Sequence, residues 1–389
     1  MYEIDVNKFL EQVAFQFTLS LVFFALIIVI EASIDIYNQE RGEEQTPRLL
    51  VEEDSDVTAE RQKTEMILKQ KQMKKFAFLA YNVTKTYEVL PVVDHLSFTV
   101  ASKQCFGLLG ANGAGKTTTF RMLIGDTRMD SGEAFIGDLS IFSNRKQYRQ
   151  EIGYCPQFDA LIPNLTGKEM LCLFARLRGY DEKQLDLVVD SLITSIGLQD
   201  YASNIAENYS GGNKRKLSFG LALIGFPTLL LLDEPTTGVD PVARRKIWSV
   251  IESAREKCGS SIILTSHSMD ECEALCHVIG IMVKGKFRCM GSVQQLKTKF
   301  GRGHTITLKV NANLNNAHDM HMWILNHLPN AILKDYHNMM LQYHIEDAQV
   351  TLGSLFRTLE ALKTELLLED YQINDTSIEQ IFLGFATEQ

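Results

Sequence analysis

The sequence predicts an α/β fold with helices packed on a mostly parallel sheet. One membrane-length apolar segment precedes it, and a small α+β unit follows. Three observations lead to this. The runs CFGLLG, TLLLLD, SIILTSH and VIGIMV are short and continuously apolar, as strands buried on both faces require, and helical stretches such as GKTTTFRMLIG and VARRKIWSVIESAREKC lie between them. Nineteen residues from Gln12 to Ile30 carry no charge. After about Gly301 the texture changes to shorter strand and helix patterns.

Bulk properties narrow the function classes. A length of 389 residues leaves room for two or three domains, and 45% hydrophobic with 22% charged residues is ordinary globular composition. The net charge of −9 gives no basic footprint for nucleic acid, so none is expected as a partner. Seven cysteines, spread from Cys105 to Cys289 without a CxxC pair, suit reduced thiols in a cytosolic compartment. Cys272, Cys276 and His277 in CEALCH lack a fourth ligand at zinc-like spacing and are read as packing residues.

Taken in order, residues 12–30 are long enough to span a bilayer as one transmembrane helix. A signal peptide would need a basic start, whereas Glu3, Asp5 and Glu11 outnumber Lys8. Residues 31–75 form a polar linker whose charge reverses, from ten acidic against two basic residues up to Glu60 to six basic against one acidic from Arg61 to Lys75. It reads as a solvated connector that becomes a surface helix. Residues 76–300 hold the α/β domain. Residues 302–389 run strand, helix, hairpin, helix, strand and a last helix, an order that suggests a ferredoxin-like domain. The histidines at 318, 321 and 327 are read as surface or packing residues.

The chemistry begins at GANGAGKTT, which fits G-x-x-x-x-G-K-[ST] with Gly110, Gly115, Lys116 and Thr117 at the defining places. Glycines let successive N–H groups turn toward a β-phosphate, a helix N-terminus adds its positive end, Lys116 reaches phosphate oxygens and Thr117 offers a hydroxyl to Mg²⁺. LLLLDEP then ends an apolar strand in Asp233, placed to hold the Mg²⁺ shell, followed by Glu234, placed to orient or deprotonate water. That pair favours hydrolysis over transfer to a small molecule. Gln157 in YCPQFD and His267 in LTSHS each follow a strand-like run, where a polar side chain can overlook a γ-phosphate.

The series from Gly110 to Thr117, with Gln157, YSGG, LLLLDEP, GVDP and TSH, resembles the P-loop NTPase domain of ABC transporters, an ABC-type ATPase domain, in content and order. The resemblance implies ATP and Mg²⁺ as cofactors. It assigns Tyr87 to adenine stacking, Asn112, Gly113 and Thr118 to the phosphate cradle, Gln157 to γ-phosphate sensing and, with Thr117 and Asp233, to the metal, Asp240 to a dimer contact and His267 to the switch. It makes Ser210, Gly211, Gly212 and Asn213 a signature turn that covers ATP held by a partner, so two such domains are needed. Tyr209 and Asn213 depart from the general LSGGQ pattern, which makes contact through Asn213 less secure than through Ser210 and the two glycine amides.

IGYCPQFDAL, LTGKEML, SGGNKRKLS and DEPTTGVDPVARR resemble subfamily A, whose members chiefly move lipids, and SGGNKRKLS resembles its second ATPase domain. The chain is then expected to be the C-terminal part of a full transporter: last membrane helix, ATPase domain and regulatory domain. The expected partners are a second nucleotide-binding domain, in cis or in trans, the transmembrane domains and a membrane lipid as substrate. Lys214, Arg215 and Lys216 could pass for a targeting signal, a reading that their place in the signature helix disfavours. Asn208 is one of four N-x-[ST] sites, with Asn82, Asn164 and Asn374, and its place in the turn puts residues beyond Ile30 on the cytosolic side of an integral membrane protein. The alternatives are a soluble ABC-type ATPase acting in translation or DNA maintenance, or an inactive truncated fragment. The soluble class lacks a membrane helix and commonly carries two ATPase domains or a long coiled coil.

Overall fold

The computed structural model describes residues 54–387 apart from 89, 302, 310–316, 329–330, 338–339, 346–351, 367–369 and 376. The predicted membrane helix at 12–30 and the acidic part of the linker before residue 54 lie outside the described residues. Among those described, no helix is long and apolar enough to cross a membrane.

The tail of the linker forms helix α1 (Ser55–Lys69), capped by Asp54, whose carboxylate accepts from Ser55 N at 2.7 Å. It is anchored rather than merely solvated. Val57 and Ile67 are buried, Glu60 accepts from Thr99 N at 3.0 Å, and Lys299 pairs with Asp54 at 2.5 Å and Asp56 at 2.8 Å. Strands β1 (Phe78–Tyr87), β2 (Leu90–Val100), β4 (Ser131–Ile136) and β5 (Leu139–Ser140) make a sheet in the order β2-β1-β4-β5.

The central sheet runs β10-β9-β3-β8-β7-β6, built from β3 (Cys105–Gly110), β6 (Ile152–Cys155), β7 (Leu229–Asp233), β8 (Ser261–Ser266), β9 (Val278–Val283) and β10 (Lys286–Gly291). Every pairing in it is parallel except β9 with β10. Its strands are buried on both faces, which is why they are apolar without alternation. Along β7, Leu230 and Leu232 join one core cluster while Leu229 and Leu231 join the other. Each buried leucine contributes about 1.5–3 kcal/mol of hydrophobic stabilisation.

Helix α2 (Lys116–Leu123) leaves the loop after β3, and α3 (Arg145–Gln150) precedes β6. A helical arm follows β6: α4 (Gly167–Leu177), α5 (Glu182–Ile196) and α6 (Gly211–Leu223). Thr166 and Glu169 form a capping box on α4. Leu185, Val189, Leu192 and Ile196 bury one face of α5 at helical spacing. Helix α7 (Pro241–Ser253) continues into a π-helical turn at Ala254–Cys258, and α8 (Met269–Leu275) and α9 (Val293–Phe300) complete the domain. Cys105, Cys272 and Cys276 are buried, the Sγ atoms of Cys105 and Cys276 lie 4.0 Å apart, and burial pushes the Cys276 thiol well up.

The second sheet-and-helix unit follows the order β11 (His304–Lys309), α10 (Ala317–His327), β12 (Ala331–His337), β13 (Met340–Ile345), α11 (Leu352–Leu366), β14 (Asp370–Asp375). Its sheet runs β12-β13-β11-β14 with every pairing antiparallel. Leu355, Leu359 and Leu362 of α11 pack against Ile306, Leu308 and Tyr343. The last helix, α12 (Ile378–Thr387), packs elsewhere. Its Ile378, Ile381, Phe382 and Phe385 repeat at helical spacing and join the core of the larger domain, with Phe385 edge-on to Phe300 at 5.3 Å. The final helix therefore clips the small unit to the large one. Ile381→Ala should lower stability by about 2–4 kcal/mol and shift the unfolding transition of the large domain. Differential scanning calorimetry checks this: a shift confined to a separate small-domain transition would contradict it.

Candidate nucleotide site

The predicted cradle is placed by the burial of β3. All six of its residues are buried, so the chain first reaches open space at the loop that ends at α2. Gly113 has φ +84° with nothing within 4 Å of a hypothetical Cβ, and Gly115 has φ +104° with Val92 O only 2.5 Å from one. The first leaves room for a ligand, and the second permits a turn no other residue could make. Asn112 and Gly113 are exposed on this loop, and in the first turn of α2 Thr117 is exposed and Thr118 half-buried. Lys116 is buried and donates to Gly110 O at 2.7 Å and Ala111 O at 3.1 Å. Burial lowers its pKa, while Glu234 and Asp233 oppose that shift.

Strands β7 and β8 deliver the acidic pair. Asp233 sits opposite Thr265 in the parallel register, and the Thr265 hydroxyl donates to Asp233 Oδ1 at 2.6 Å. The same hydroxyl accepts from Glu234 N at 3.0 Å. Asp233 is 2% exposed, and burial raises its pKa against the Thr265 hydrogen bond. Glu234 has φ +45°, a left-handed conformation that costs a non-glycine residue about 1 kcal/mol or more.

That turn brings the predicted residues together. Glu234 Oε2 accepts from Gln157 Nε2 at 2.8 Å and from Thr237 Oγ1 at 3.1 Å, and His267 Nδ1 lies 3.4 Å from it. Three strand ends thus converge on one carboxylate. His267 keeps half its side chain exposed, whereas Glu234 is buried. Chemically, the arrangement joins an open glycine loop, a buried cation, a carboxylate suited to a metal and a second carboxylate suited to water.

The signature turn stands at the start of α6. Ser210 caps that helix, accepting from Asn213 N at 3.3 Å, and a Cβ on Gly211 would meet nothing within 4 Å. Tyr209, the departure from leucine, is buried and donates to Tyr201 O at 2.6 Å, holding the turn from behind. Asp240 caps α7, accepting from Val242 N at 3.1 Å and Ala243 N at 2.9 Å. Tyr87 ends β1 with 46% of its surface exposed.

Sequence reasoning missed Thr265, Thr237, Glu271 and Arg215. Glu271 is buried, accepts from Thr236 Oγ1 at 2.9 Å, Trp248 Nε1 at 3.3 Å and Ser266 Oγ at 2.7 Å, and so ties the segment after Glu234 to the one before His267. Burial raises its pKa against those hydrogen bonds. Arg215 donates to carbonyls on both sides of the site. In the sequence it stood out only as the middle of the basic run Lys214, Arg215, Lys216.

The ABC transporter family matches residues 93–237, and the ABCA1-like C-terminal R1 regulatory domain matches residues 301–375. The chain is 44% identical to the phospholipid-transporting ATPase ABCA3 of Rattus norvegicus over 339 residues, covering 86% of this chain and 20% of that protein. It is 44% identical to the retinal-specific phospholipid-transporting ATPase ABCA4 of Homo sapiens over 359 residues, covering 89% of this chain and 15% of that protein. The chain thus spans a fifth or less of these relatives. A solved ATP-binding subunit of an ABC transporter aligns with a TM-score of 0.53 at 26% identity, over 58% of this chain and 93% of that one.

Thr265→Val should cost about 1–3 kcal/mol by leaving the Asp233 carboxylate without its hydroxyl donor, while Glu234 N keeps the carbonyl of residue 265 at 3.2 Å. The hydrogen bond favours ionised Asp233, so its loss raises the folded pKa further. The penalty is then largest above that pKa and shrinks as falling pH protonates Asp233. Urea denaturation at neutral and acid pH measures it; an equal loss at both would refute the assignment.

Proposed function

We propose that this chain, a member of the ABC transporter family with the two domains found at the C-terminal end of subfamily A, is the ATP-binding and hydrolysing part of a membrane lipid transporter. The observation that carries the reading is the meeting of Gln157, Thr237 and His267 at the Glu234 carboxylate, beside the Lys116 loop. The relatives' names supply the lipid, since both are phospholipid-transporting ATPases.

In this reading residues 12–30 anchor the chain, 31–75 connect, 76–300 bind nucleotide and 302–389 regulate as a ferredoxin-like domain. The sheet order β12-β13-β11-β14 supports the last assignment. The ATPase and regulatory domains are cytosolic. Tyr87 stacks on adenine; Gly110, Asn112, Gly113, Gly115, Lys116 and Thr118 hold the phosphates. The open cradle at Gly113 and the buried carboxylate of Asp233 fit a Mg²⁺–phosphate pair, and Thr117, Gln157 and Asp233 would hold the metal. Bound Mg²⁺ supplies positive charge to the phosphate oxygens. Glu234 orients a water and accepts its proton, Gln157 and His267 hold that carboxylate in place, and Asp240 contacts a partner domain.

Ser210, Gly211, Gly212 and Asn213 cover the nucleotide of a second nucleotide-binding domain, whose own turn covers the nucleotide held by Lys116. Closing and opening this pair moves the transmembrane domains. Glu234→Gln in the assembled transporter should keep ATP binding and lower turnover about 10²–10⁴-fold. Parallel ATP-binding and phosphate-release assays check it, and unchanged turnover would remove Glu234 from its role. The isolated monomer should hydrolyse ATP far more slowly than the assembly, so strong activity in a verified monomer would contradict the shared site.

A further inference from the structure

Arg215 lies two residues beyond the signature turn, on helix α6, and only 3% of its surface is exposed. Its neighbours Lys214 and Lys216 are half-buried, and Lys216 donates to Gly197 O at 3.3 Å, away from the site. Arg215 instead spreads its guanidinium across six acceptors. Nε donates to Pro235 O at 2.7 Å, and Nη2 donates to Asp233 O at 2.9 Å and Glu234 O at 3.1 Å. Nη1 donates to Pro156 O at 2.5 Å, Gln157 O at 3.3 Å and Asp159 Oδ1 at 3.1 Å.

We infer that Arg215 is a positioning residue that ties the signature turn, offered to a partner's nucleotide, to the two segments that read this chain's own. The inference rests on the ATPase reading above. Every acceptor lies in the segment carrying Gln157 or the segment carrying Asp233 and Glu234. Five are main-chain carbonyls, so the guanidinium fixes backbone paths and not side-chain rotamers. Two of them flank the peptide of Glu234, whose left-handed φ of +45° needs outside support to persist. The fork of five N–H groups can span both segments at once, whereas a lysine ammonium, with three donors on one atom, cannot. A shift of α6 toward or away from a partner is thereby transmitted to the carboxylate that orients water and to the glutamine beside it.

The test uses the assembled transporter with Mg-ATP, comparing Arg215→Lys, Arg215→Gln and Asp159→Asn with the parent. Arg215→Lys should lower kcat for ATP hydrolysis about 10- to 100-fold, because a small misplacement of the reacting groups suffices. Its KM for ATP should change less than about threefold, since the cradle is untouched. Arg215→Gln should lose at least as much. Asp159→Asn spares the carbonyl acceptors and should fold as the parent, with kcat down about 3- to 10-fold. Orthovanadate trapping of nucleotide should fall at both sites of the Arg215 variants. An unchanged kcat per folded molecule in Arg215→Lys and Asp159→Asn, or a loss that only follows the fraction unfolded, would overturn the inference. Failure of the parent assembly to hydrolyse ATP would instead refute the ATPase reading on which it rests.

Discussion

Strands β3, β6, β7 and β8 run side by side in one direction, buried on both faces, so the chain can present polar groups only where these strands end. All four end at the same edge of the sheet, as parallel strands must. Gly110 closes β3, Asp233 closes β7, Gln157 follows β6 and His267 follows β8. The site is therefore a consequence of how the sheet is buried. Moving β7 by one residue would exchange its leucines between the two core clusters and carry Asp233 and Glu234 out of register with Thr265.

Concentrating charge at that edge carries an electrostatic cost. Asp233 is driven toward its neutral form by burial, and Lys116 likewise, although the two carboxylates favour the ammonium. Thr265, at the register position opposite Asp233, offsets part of this by serving both members of the acidic pair through one hydroxyl. Arg215 brings a buried positive charge to the same place but directs it at carbonyl oxygens, which leaves the Glu234 carboxylate to Gln157, Thr237 and His267. Glu271 performs the matching task on the other side, through Thr236, Ser266 and Trp248.

The helices at the two ends of the described chain both pack on the large domain. Helix α1 is held by Glu60 on Thr99 and by Lys299, itself in α9, and α12 packs beside α9 through Phe300 and Phe385. The linker helix and the last helix thus bear on neighbouring parts of the large domain. The C-terminal unit is attached by its final helix as well as by the chain that leads into it.

The strands, the glycine loop, the acidic pair and the signature turn were legible in the sequence because each depends on local chemistry: continuous burial, a positive φ, a carboxylate after an apolar run, a helix cap. The succession of strands and helices in the C-terminal unit was legible too. Thr265, Glu271 and Arg215 were not. Apart from the Glu271 contact with Ser266 five positions away, their side chains act on residues 18 to 59 positions away, and no local pattern separates a serving threonine or arginine from an ordinary one. The packing of α12 on the large domain was hidden for the same reason. Its helical face of Ile378, Ile381 and Phe385 announces burial but not its partner, which only the register and closure of the tertiary fold decide.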